Sequence, residues 1–341
     1  MIKIDGQFGE GGGQIVRSSL TMSMITGRAF LINNIRARRR RKGLLRQHLT
    51  CLNATRQICD AKVSGAEIGS SKFTFKPCRI KGGNYHFEIG SAGSTMLVLQ
   101  TILPALIMAE RESNILISGG THAAMAPPFD FIQHVYLEQL KKLGAEIELK
   151  LNKYGFYPAG GGEIVAKIKP IKILKPLDIV ERGCLINAKI TGIVANLSKK
   201  IAEREVNYLT KYLDNIATIQ TEILDVMSNG PGNVVMVDLE FENSRELITG
   251  FGKIGVSRKT VARETLAEVE RFLINEVPVG EHLADQLLIP LVITGKGQFV
   301  TSDLSLHALT NIEVIKRFVD KEFMIEELSE KFWKISLENK I

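Results

Sequence analysis

The sequence predicts an α/β (α+β) fold in which helices pack on sheets, and three observations support this prediction. Segments with the apolar periodicity of helices and of strands follow one another along the 341-residue chain, and their order repeats. Apolar residues make up 45% and charged residues 24% of the chain, as in ordinary globular proteins. The length suits two domains, or one large domain with an insertion. We therefore expect a unit of two helices and several strands that occurs three times.

The first two copies contain the same kinds of element in a similar order. In the first copy, helices are predicted at residues 16–25 and 43–58, and strands at residues 3–5, 30–35, 62–68, 73–78 and 85–89. In the second copy, helices are predicted at residues 94–109 and 129–143, and strands at residues 115–118, 146–151 and 163–168. These patterns indicate helices that cover one face of each sheet.

A partial third copy closes the chain. Its helices are predicted at residues 282–288 and 312–319, and its strands at residues 298–301, 323–327 and 333–337. The segment GGGQIV at residues 11–16 returns as GGGEIV at residues 160–165 and, more weakly, as GKGQFV at residues 295–300. We interpret this similarity as support for the repeat.

The segment between the second and third copies has a different pattern. It contains a strand, a helix at residues 197–213, three strands and a helix at residues 258–274. Such a set of elements can bury a small core of its own. We therefore predict a repeated-unit domain formed by residues 1–182 and 278–341, and an inserted α/β domain at residues 183–277.

One short run accounts for nearly all of the excess positive charge. The chain has 44 Lys and Arg residues against 37 Asp and Glu residues, and six of the basic residues lie in the segment RARRRRK from Arg36 to Lys42. Without these six, the count is 38 against 37. A positive field concentrated in one place favours a polyanionic partner. A solvated basic loop is the alternative interpretation.

Composition argues against a secreted or membrane protein. The first residues, MIKIDGQ, alternate like a strand and lack the layout of a signal peptide. The most apolar stretch, residues 95–109, is too short to span a bilayer. The four cysteines form no CxxC motif, so we expect buried free thiols in a reducing cytoplasm.

A glycine-rich segment, GEGGGQ at residues 9–14, precedes the first predicted helix. It matches neither a Walker A loop nor GxGxxG, because Gln14 occupies the place of the third glycine. Consecutive glycines before a helix can present backbone N–H groups to an anion, or can simply form a tight turn. Glu10 inside such a loop suggests a divalent cation between its carboxylate and the anion.

His307 precedes the segment TNIE, in which Thr310 and Glu313 resemble the capping box of a helix start. A histidine just ahead of a helix N-terminus lies where a phosphate would be held, and a neutral imidazole can attack phosphorus if its other nitrogen is held as a donor. The alternative is a histidine with a purely structural role.

His282, Asp285 and Gln286 fall within one predicted helical turn, so they can line one edge of a pocket. Considered alone, they also fit an ordinary polar helix start. Neither the six histidines nor the cysteines have the spacing of zinc ligands.

Together these segments resemble the catalytic branch of the RNA 3'-terminal phosphate cyclase family over essentially the whole chain. The most specific segment, GFYPAGGG at residues 155–162, resembles the family signature G-x-x-P-x-G-G-G. Five other segments are similar: GEGGGQIVR at 9–17, GLLRQHL at 43–49, IGSAGSTMLVLQ at 89–100, VGEHLADQ at 279–286 and HALTN at 307–311. Six separated matches in the right order make chance a poor explanation.

The resemblance implies three two-helix, four-stranded-sheet units, which would form the catalytic domain, with a small inserted α/β domain. It also implies an ATP-dependent enzyme that converts an RNA 3'-phosphate into a 2',3'-cyclic phosphodiester. In this family, a histidine takes AMP from ATP, the AMP passes to the RNA 3'-phosphate, and the 2'-hydroxyl then expels AMP. Mg²⁺ or Mn²⁺ would accompany the triphosphate. A homo-oligomer is compatible with this resemblance.

The resemblance also implies roles for individual residues. His307 matches the nucleophile, and Glu10 matches an acidic residue near the metal and the phosphates. The residues matching polar groups around the transferring phosphates and the RNA end are Arg17, Arg36, Arg39 and Gln47. The residues matching the adenosine pocket are Gln100, Pro128, His282, Leu283, Ala284, Asp285 and Gln286.

The sequence departs from the family pattern at a few positions. Arg38 replaces a glycine and Lys42 a proline in the basic run, Tyr154 stands where Arg or His is usual, and residues 121–124 differ. Two alternatives are a non-catalytic RNA-binding relative that acts in ribosome assembly and an enolpyruvyl transferase-like enzyme. The presence of His307 favours the enzyme over the first, and the signature weighs against the second.

Overall fold

The computed structural model describes residues 1–216, 218–302 and 304–339, which form four four-stranded sheets with helices packed against them. The first unit consists of β1 (Ile2–Asp5), α1 (Gly13–Thr26), β2 (Phe30–Asn33), α2 (Arg46–Cys59), β3 (Lys62–Ser64) and β4 (Phe73–Lys76). Its sheet has the order β1-β2-β4-β3, in which β1 and β2 are parallel and the other pairs antiparallel.

The second unit repeats this topology. It consists of β5 (Asn84–Glu88), α3 (Thr95–Leu106), β6 (Ser113–Gly119), α4 (Phe129–Phe131), a π-helical turn (Ile132–Tyr136), α5 (Leu137–Lys142), β7 (Glu146–Lys153) and β8 (Gly162–Lys169). The strand order is β5-β6-β8-β7, again with only the first pair parallel. The helix predicted at residues 129–143 is therefore interrupted by a π-helical turn.

The third unit starts with β9 (Leu177–Ile179) and is then interrupted. The interruption consists of β10 (Leu185–Ala195), α6 (Lys200–Leu213), β11 (Ile219–Asp225), β12 (Gly232–Phe241), β13 (Arg245–Phe251) and α7 (Arg258–Asn275). The unit resumes with α8 (Glu281–Thr294), β14 (Gly297–Thr301), α9 (Leu306–Lys316), β15 (Lys321–Ser329) and β16 (Phe332–Asn339). Its sheet, β9-β14-β16-β15, has the same order as the other two. The prediction of three copies is confirmed, and β9 completes the copy that the sequence indicated only in part.

The glycine-rich similarity between the copies does not mark equivalent positions, so that interpretation was wrong. Residues 11–16 lie at the start of α1, whereas residues 160–165 lead into the last strand of the second unit, β8. Residues 295–300 lead into β14, the second strand of the third unit. Glycines serve each of these turns for its own local reason, since several need a positive φ, as Gly11 (φ 62°), Gly160 (φ 66°) and Gly295 (φ 72°) do.

Helix packing brings the units together. Helix α1 contacts α3 and α9, and α8 contacts the same two helices. At one end of this group the Phe30 ring packs against Phe73, Phe75 and Phe318, with ring centroids 5.6, 5.8 and 5.8 Å away. Because Phe318 follows α9, this cluster joins the first unit to the third. The starts of α1, α8 and α9 also lie close to one another, because Gln14 of α1 contacts both Asp285 of α8 and His307 of α9.

The interrupting segment has a sheet of its own, β11-β10-β12-β13, covered by α6 and α7. Its apolar side chains form a cluster separate from the main core, including Ile190, Leu209 and Val237. The opposite side of the sheet contributes Ile193 and Met236 to the main core. These contacts support our proposal that residues 183–277 are a separate domain docked on the repeated units.

Two of the four cysteines are buried, Cys51 and Cys59, and all four are free thiols. Cys78 and Cys184 are exposed, so the expectation that all four would be buried was wrong. Across the part of the chain that the structure describes, no helix is both long enough and apolar enough to cross a membrane.

Candidate active site

The glycine-rich loop connects β1 to α1 and allows side chains to approach the start of this helix. Gly9 (φ 52°) and Gly11 (φ 62°) adopt the left-handed conformation that glycine tolerates best. A Cβ atom on Gly12 would lie 2.1 Å from Glu10 Oε1, and one on Gly13 would lie 2.2 Å from His48 Nε2. The run of glycines is therefore needed for a carboxylate and an imidazole to reach the N-terminal end of α1.

Glu10 ties three separate segments together. Its Oε2 accepts a hydrogen bond from Gly12 N at 2.7 Å, and its own N–H donates to Thr310 Oγ1 at 3.0 Å. Arg39 Nη2 donates to the carbonyl oxygen of Glu10 at 2.8 Å and forms an ion pair with Glu10 Oε1. The basic run and helix α9 thus meet at the loop, as the resemblance implies.

His307 lies in the first turn of α9 and not ahead of it. The helix begins at Leu306, and its N-cap is Ser305, whose Oγ accepts a hydrogen bond from Ala308 N at 3.1 Å. The capping box predicted at Thr310 and Glu313 is wrong, because Thr310 is buried inside the helix and its hydroxyl donates to Leu306 O at 2.6 Å. The His307 residue is exposed, while its Nδ1 lies 2.9 Å from Gln14 Oε1.

Gln14 is a residue that the sequence analysis did not place in the site. Its side-chain amide lies between two candidate residues: Oε1 faces His307 Nδ1, and Nε2 donates to Asp285 Oδ2 at 2.7 Å. Asn311 Nδ2 donates to the backbone oxygen of Asp285 at 2.9 Å and so ties α8 to α9. Burial raises the pKa of Asp285 to about 6, although His307, His282 and Arg17 lower it. The sequence signal that could have indicated Gln14 is a polar side chain directly after three glycines, just ahead of a predicted helix.

Arg17 lies one turn further along α1. Burial lowers the pKa of its guanidinium, and the nearby Asp285 and Glu10 carboxylates counteract this effect. Within residues 1–216, 218–302 and 304–339, no acceptor is hydrogen-bonded to the guanidinium. Its donors are therefore available to an anionic ligand, since guanidinium groups bind phosphate oxygens well.

His48 is a buried neighbour of the same end of α1. Its Nδ1 accepts a hydrogen bond from Leu45 N at 3.2 Å, so this nitrogen carries no proton. Burial and the charges of Arg17 and Arg36 lower the pKa of His48 to about 3. The His48 imidazole is consequently neutral and adds no positive charge to the site.

Two other predicted residues take part in local structure. Arg36, with φ 53°, donates from Nε and Nη2 to Arg41 O at 3.3 and 3.2 Å, which closes the basic run on itself. Gln47 Oε1 accepts from Ser94 N at 2.9 Å, so it anchors the start of α3 to α2. The charges of Arg39 and Glu10 act on the Arg36 guanidinium, so Arg36 lies near the loop, whereas the contact of Gln47 places it at the start of α3.

The residues matching the adenosine pocket lie on facing elements. Gln100 Nε2, on α3, donates to Gln286 Oε1, on α8, at 2.5 Å. Pro128 precedes α4, and the π-helical turn after it contacts α8. Leu283 and Ala284 are 0% and 1% exposed and belong to the apolar core, so they lie beneath the surface of the pocket that the resemblance implies.

Two departures from the family pattern turn out to be in contact. The His122 ring stacks on Tyr154 with centroids 5.3 Å apart and also contacts Phe156 at 5.4 Å, and the Tyr154 and Phe156 rings stack on each other at 6.3 Å. His122 Nε2 lies 2.8 Å from Asp130 Oδ2, on α4, and its Nδ1 lies 2.9 Å from Thr121 Oγ1. The unusual Tyr154 thus packs on a histidine that is fully hydrogen-bonded.

The fit of a divalent cation depends on Glu10. No group of three or more His, Cys, Asp or Glu side chains arranged for a metal is found in the described parts of the chain. Mg²⁺ is often held by one or two carboxylates together with substrate phosphates. The site therefore fits a cation that arrives with a triphosphate, and it does not fit a cage built from protein ligands alone.

Comparison with known proteins agrees with the geometry. The family model described as RNA 3'-terminal phosphate cyclase matches residues 8–325. A protein of Koribacter versatilis named RNA 3'-terminal phosphate cyclase is 44% identical over 328 residues, covering 96% of this chain and 92% of its own. A protein of the same name from Pseudomonas fluorescens is 44% identical over 330 residues, covering 97% and 96%.

Solved structures provide a much weaker comparison. The enolpyruvyl transferase NikO from Streptomyces tendae is 9% identical, with a TM-score of 0.39 and coverage of 98% of this chain and 47% of its own. This chain therefore spans about half the length of NikO, and the similarity is too low to support an argument. On the sequence matches, the chain belongs to the RNA 3'-terminal phosphate cyclase family.

Proposed function

We propose that this protein uses ATP to convert the 3'-terminal phosphate of RNA into a 2',3'-cyclic phosphodiester through a covalent histidine–AMP intermediate. The observation that supports it best is the position of His307. His307 Nδ1 lies 2.9 Å from Gln14 Oε1, and Gln14 in turn bonds Asp285 on α8. The loop that precedes Gln14 carries Glu10, which pairs with Arg39 of the basic run and bonds Thr310 of α9. A chain of contacts thus links the exposed imidazole to residues that the family resemblance singled out.

In the first step, His307 Nε2 attacks the α-phosphorus of ATP. A P–N bond forms, the bond from the α-phosphorus to the bridging oxygen breaks, and pyrophosphate leaves. Negative charge builds up on the phosphate oxygens during this displacement. The guanidinium of Arg17, near Asp285, bonds no acceptor in the part of the chain that the structure describes, so it can stabilise that charge. A bound Mg²⁺ or Mn²⁺ would neutralise the triphosphate, and Glu10 is the carboxylate placed to hold it.

The second and third steps use the RNA end. An oxygen of the 3'-phosphate attacks the phosphorus of the AMP adduct, and the P–N bond breaks to release His307. The adjacent 2'-hydroxyl then attacks the 3'-phosphorus and loses its proton, and AMP leaves. The last step is intramolecular, so its rate depends on holding the two groups at attack distance. We propose that Arg36, Arg39 and Gln47 bind this end, because Arg36 and Arg39 lie near Glu10 and Gln47 matches a family residue with the same role.

The test is adduct formation with ATP labelled at the α-phosphate. The wild-type protein should retain the label in an acid-labile bond, as a phosphoramidate does, and RNA with a 3'-phosphate should remove it. His307→Asn should abolish both the adduct and cyclisation while the thermal unfolding transition is unchanged. His86→Asn is the matched control, since His86 is an exposed histidine on β5.

Two results would contradict the proposal. A His307→Asn protein that forms the adduct at the wild-type level would show that another residue is the nucleophile. A folded wild-type protein that never takes up the label, yet binds RNA, would indicate the non-catalytic relative instead.

A further inference from the structure

The side-chain amide of Gln14 is the only bridge that the described residues form between the His307 imidazole and the Asp285 carboxylate. Gln14 Nε2 donates to Asp285 Oδ2 at 2.7 Å, and Gln14 Oε1 lies 2.9 Å from His307 Nδ1. The three residues come from α1, α8 and α9, the helices whose starts meet at the site. Gln14 is 9% exposed, so water competes little with these two contacts.

The hydrogen-bonding capacity of each group fixes which atom donates in the two hydrogen bonds that link Asp285, Gln14 and His307. An ionised carboxylate only accepts hydrogen bonds, so Asp285 requires the NH₂ group of Gln14 to face it. The amide oxygen must then face His307, and an amide oxygen also only accepts. His307 Nδ1 consequently carries the proton, and Nε2 keeps the lone pair that attacks phosphorus.

We propose that Gln14 is a positioning residue that selects the reactive tautomer of His307, and that Asp285 sets the orientation of Gln14. The inference rests on the proposed function, in which His307 is the nucleophile. It assigns Gln14 a task that a carboxylate performs directly in the Ser-His-Asp triad. Here an amide transmits the effect of a carboxylate that lies one residue further away.

Protonation of Asp285 should remove the selection. A carboxylic acid can still accept from Gln14 Nε2, but it can also donate to Gln14 Oε1, and the amide can then turn so that its NH₂ group faces His307 Nδ1. In that second arrangement Nδ1 accepts, so the proton sits on Nε2 and blocks the nucleophile. The groups that act on the charge of Asp285 are Arg17 on α1, His282 on α8, His307 on α9 and Tyr136 on the π-helical turn.

The decisive measurement is the tautomer of His307 in the protein without ATP. Nitrogen-15 NMR of histidine-labelled protein distinguishes protonated from unprotonated ring nitrogens, and His307→Asn identifies the signals. In the wild type we expect Nδ1 protonated and Nε2 unprotonated at neutral pH. Gln14→Met, which keeps the length of the side chain but loses both hydrogen bonds, should show a mixture of tautomers. Gln7→Met is the control, because Gln7 lies in the same loop and bonds only Asp5 among the described residues.

The second measurement is the single-turnover rate of adduct formation at neutral pH, in the wild type and in three variants. Gln14→Met should be about 10²–10⁴-fold slower with little change in the ATP concentration at half-saturation, by comparison with a wrong-tautomer triad variant. Gln14→Glu should recover much of this rate, because one carboxyl oxygen accepts from Nδ1 in place of the amide oxygen while the other shares a proton with Asp285 Oδ2. Asp285→Asn should lose the selection, because an amide can face Gln14 either way.

Several outcomes separate this inference from the proposed function. A wild-type tautomer in Gln14→Met, or a rate loss explained by weaker ATP binding, would overturn the role of Gln14. A failure of Gln14→Glu to recover any rate, with ATP binding intact, would also count against it. If Gln14 sets the tautomer but the wild type forms no adduct, the inference stands and the proposed function fails.

Discussion

Neutralising three arginines of the basic run should weaken RNA binding without affecting adduct formation. Arg38, Arg40 and Arg41 are exposed, and in the described parts of the chain their side chains form no ion pair. Among the described residues, the side chain of Arg36 bonds only the backbone oxygen of Arg41, and this oxygen remains when the side chain of Arg41 is changed. Replacing all three by Gln therefore removes charge while leaving the contact between Arg39 and Glu10 in place.

The size of the effect follows from counterion release. For single strands, each phosphate neutralised by the protein contributes about 0.7 to the slope of log K against log salt concentration. Three arginines that each neutralise one phosphate contribute about 2 to this slope. If the two proteins bind equally near 1 M salt, the variant should bind roughly 100-fold more weakly near 0.1 M.

Fluorescence anisotropy of a labelled RNA with a 3'-phosphate measures this slope directly, over about 0.05 to 0.5 M salt. A control variant with Lys253, Lys259 and Arg263 changed to Gln removes the same charge from exposed positions around the start of α7. The control should retain the wild-type slope. Adduct formation from ATP should be normal in both variants.

An unchanged slope in the basic-run variant would show that these arginines are only a solvated surface. Equal losses in both variants would show that net charge matters and not the location of the run. Loss of adduct formation would mean that the loop beside Glu10 depends on these side chains, against the contacts described above.

Three further predictions concern the RNA end, a buried acid and the core. An oligonucleotide with a 3'-phosphate that lacks only the terminal 2'-hydroxyl should accept AMP and then stall as the adenylylated 3' end. RNA with a 3'-hydroxyl should not be cyclised. Chromatography separates these products, and cyclisation of the 3'-hydroxyl RNA would contradict the mechanism. Burial raises the pKa of Glu246, on β13, from its ordinary value of 4.5 to about 8, so the stabilisation is complete below pH 4.5 and is lost as pH rises through 8. The stability difference between Glu246→Gln and the wild type should be constant near pH 4. Above pH 4.5 the variant should gain stability relative to the wild type by roughly 1.4 kcal/mol per pH unit up to pH 8 in urea unfolding. A pH-independent difference would show that Glu246 is not a buried neutral acid. Phe30→Ala should lower the free energy of unfolding by about 3–5 kcal/mol, and a loss below about 1 kcal/mol would show that the aromatic cluster joining the first and third units is not tightly packed.

The local pattern of apolar residues was sufficient to predict most of the helices and strands. The alternation of apolar residues in the strands and the longer period of the helices predicted the order strand, helix, three strands, helix that is found in β10–α7. The repeat of two helices per unit was also readable, because each unit exposes one face of its sheet and buries the other. Strand β9 was missed, because three residues are too few to show a period.

Helix boundaries were harder to predict, for an equally local reason. Ser305 and Thr310 are both good N-cap residues, and Glu313 made the second one look better. The structure uses Ser305, because the hydroxyl of Thr310 is needed inside the helix and by the backbone of Glu10. Glu10, whose backbone N–H donates to the Thr310 hydroxyl, lies 300 positions away from Thr310 in the chain.

The candidate site shows the same division. Family resemblance named Glu10, Arg39, Asp285 and His307 one by one, since each lies in a short characteristic segment. It did not name Gln14, whose importance comes from contacts with residues 271 and 293 positions away. A local sequence pattern describes how one segment folds on itself, and a proton on a particular nitrogen of His307 depends on which group the packing of three helices places opposite it.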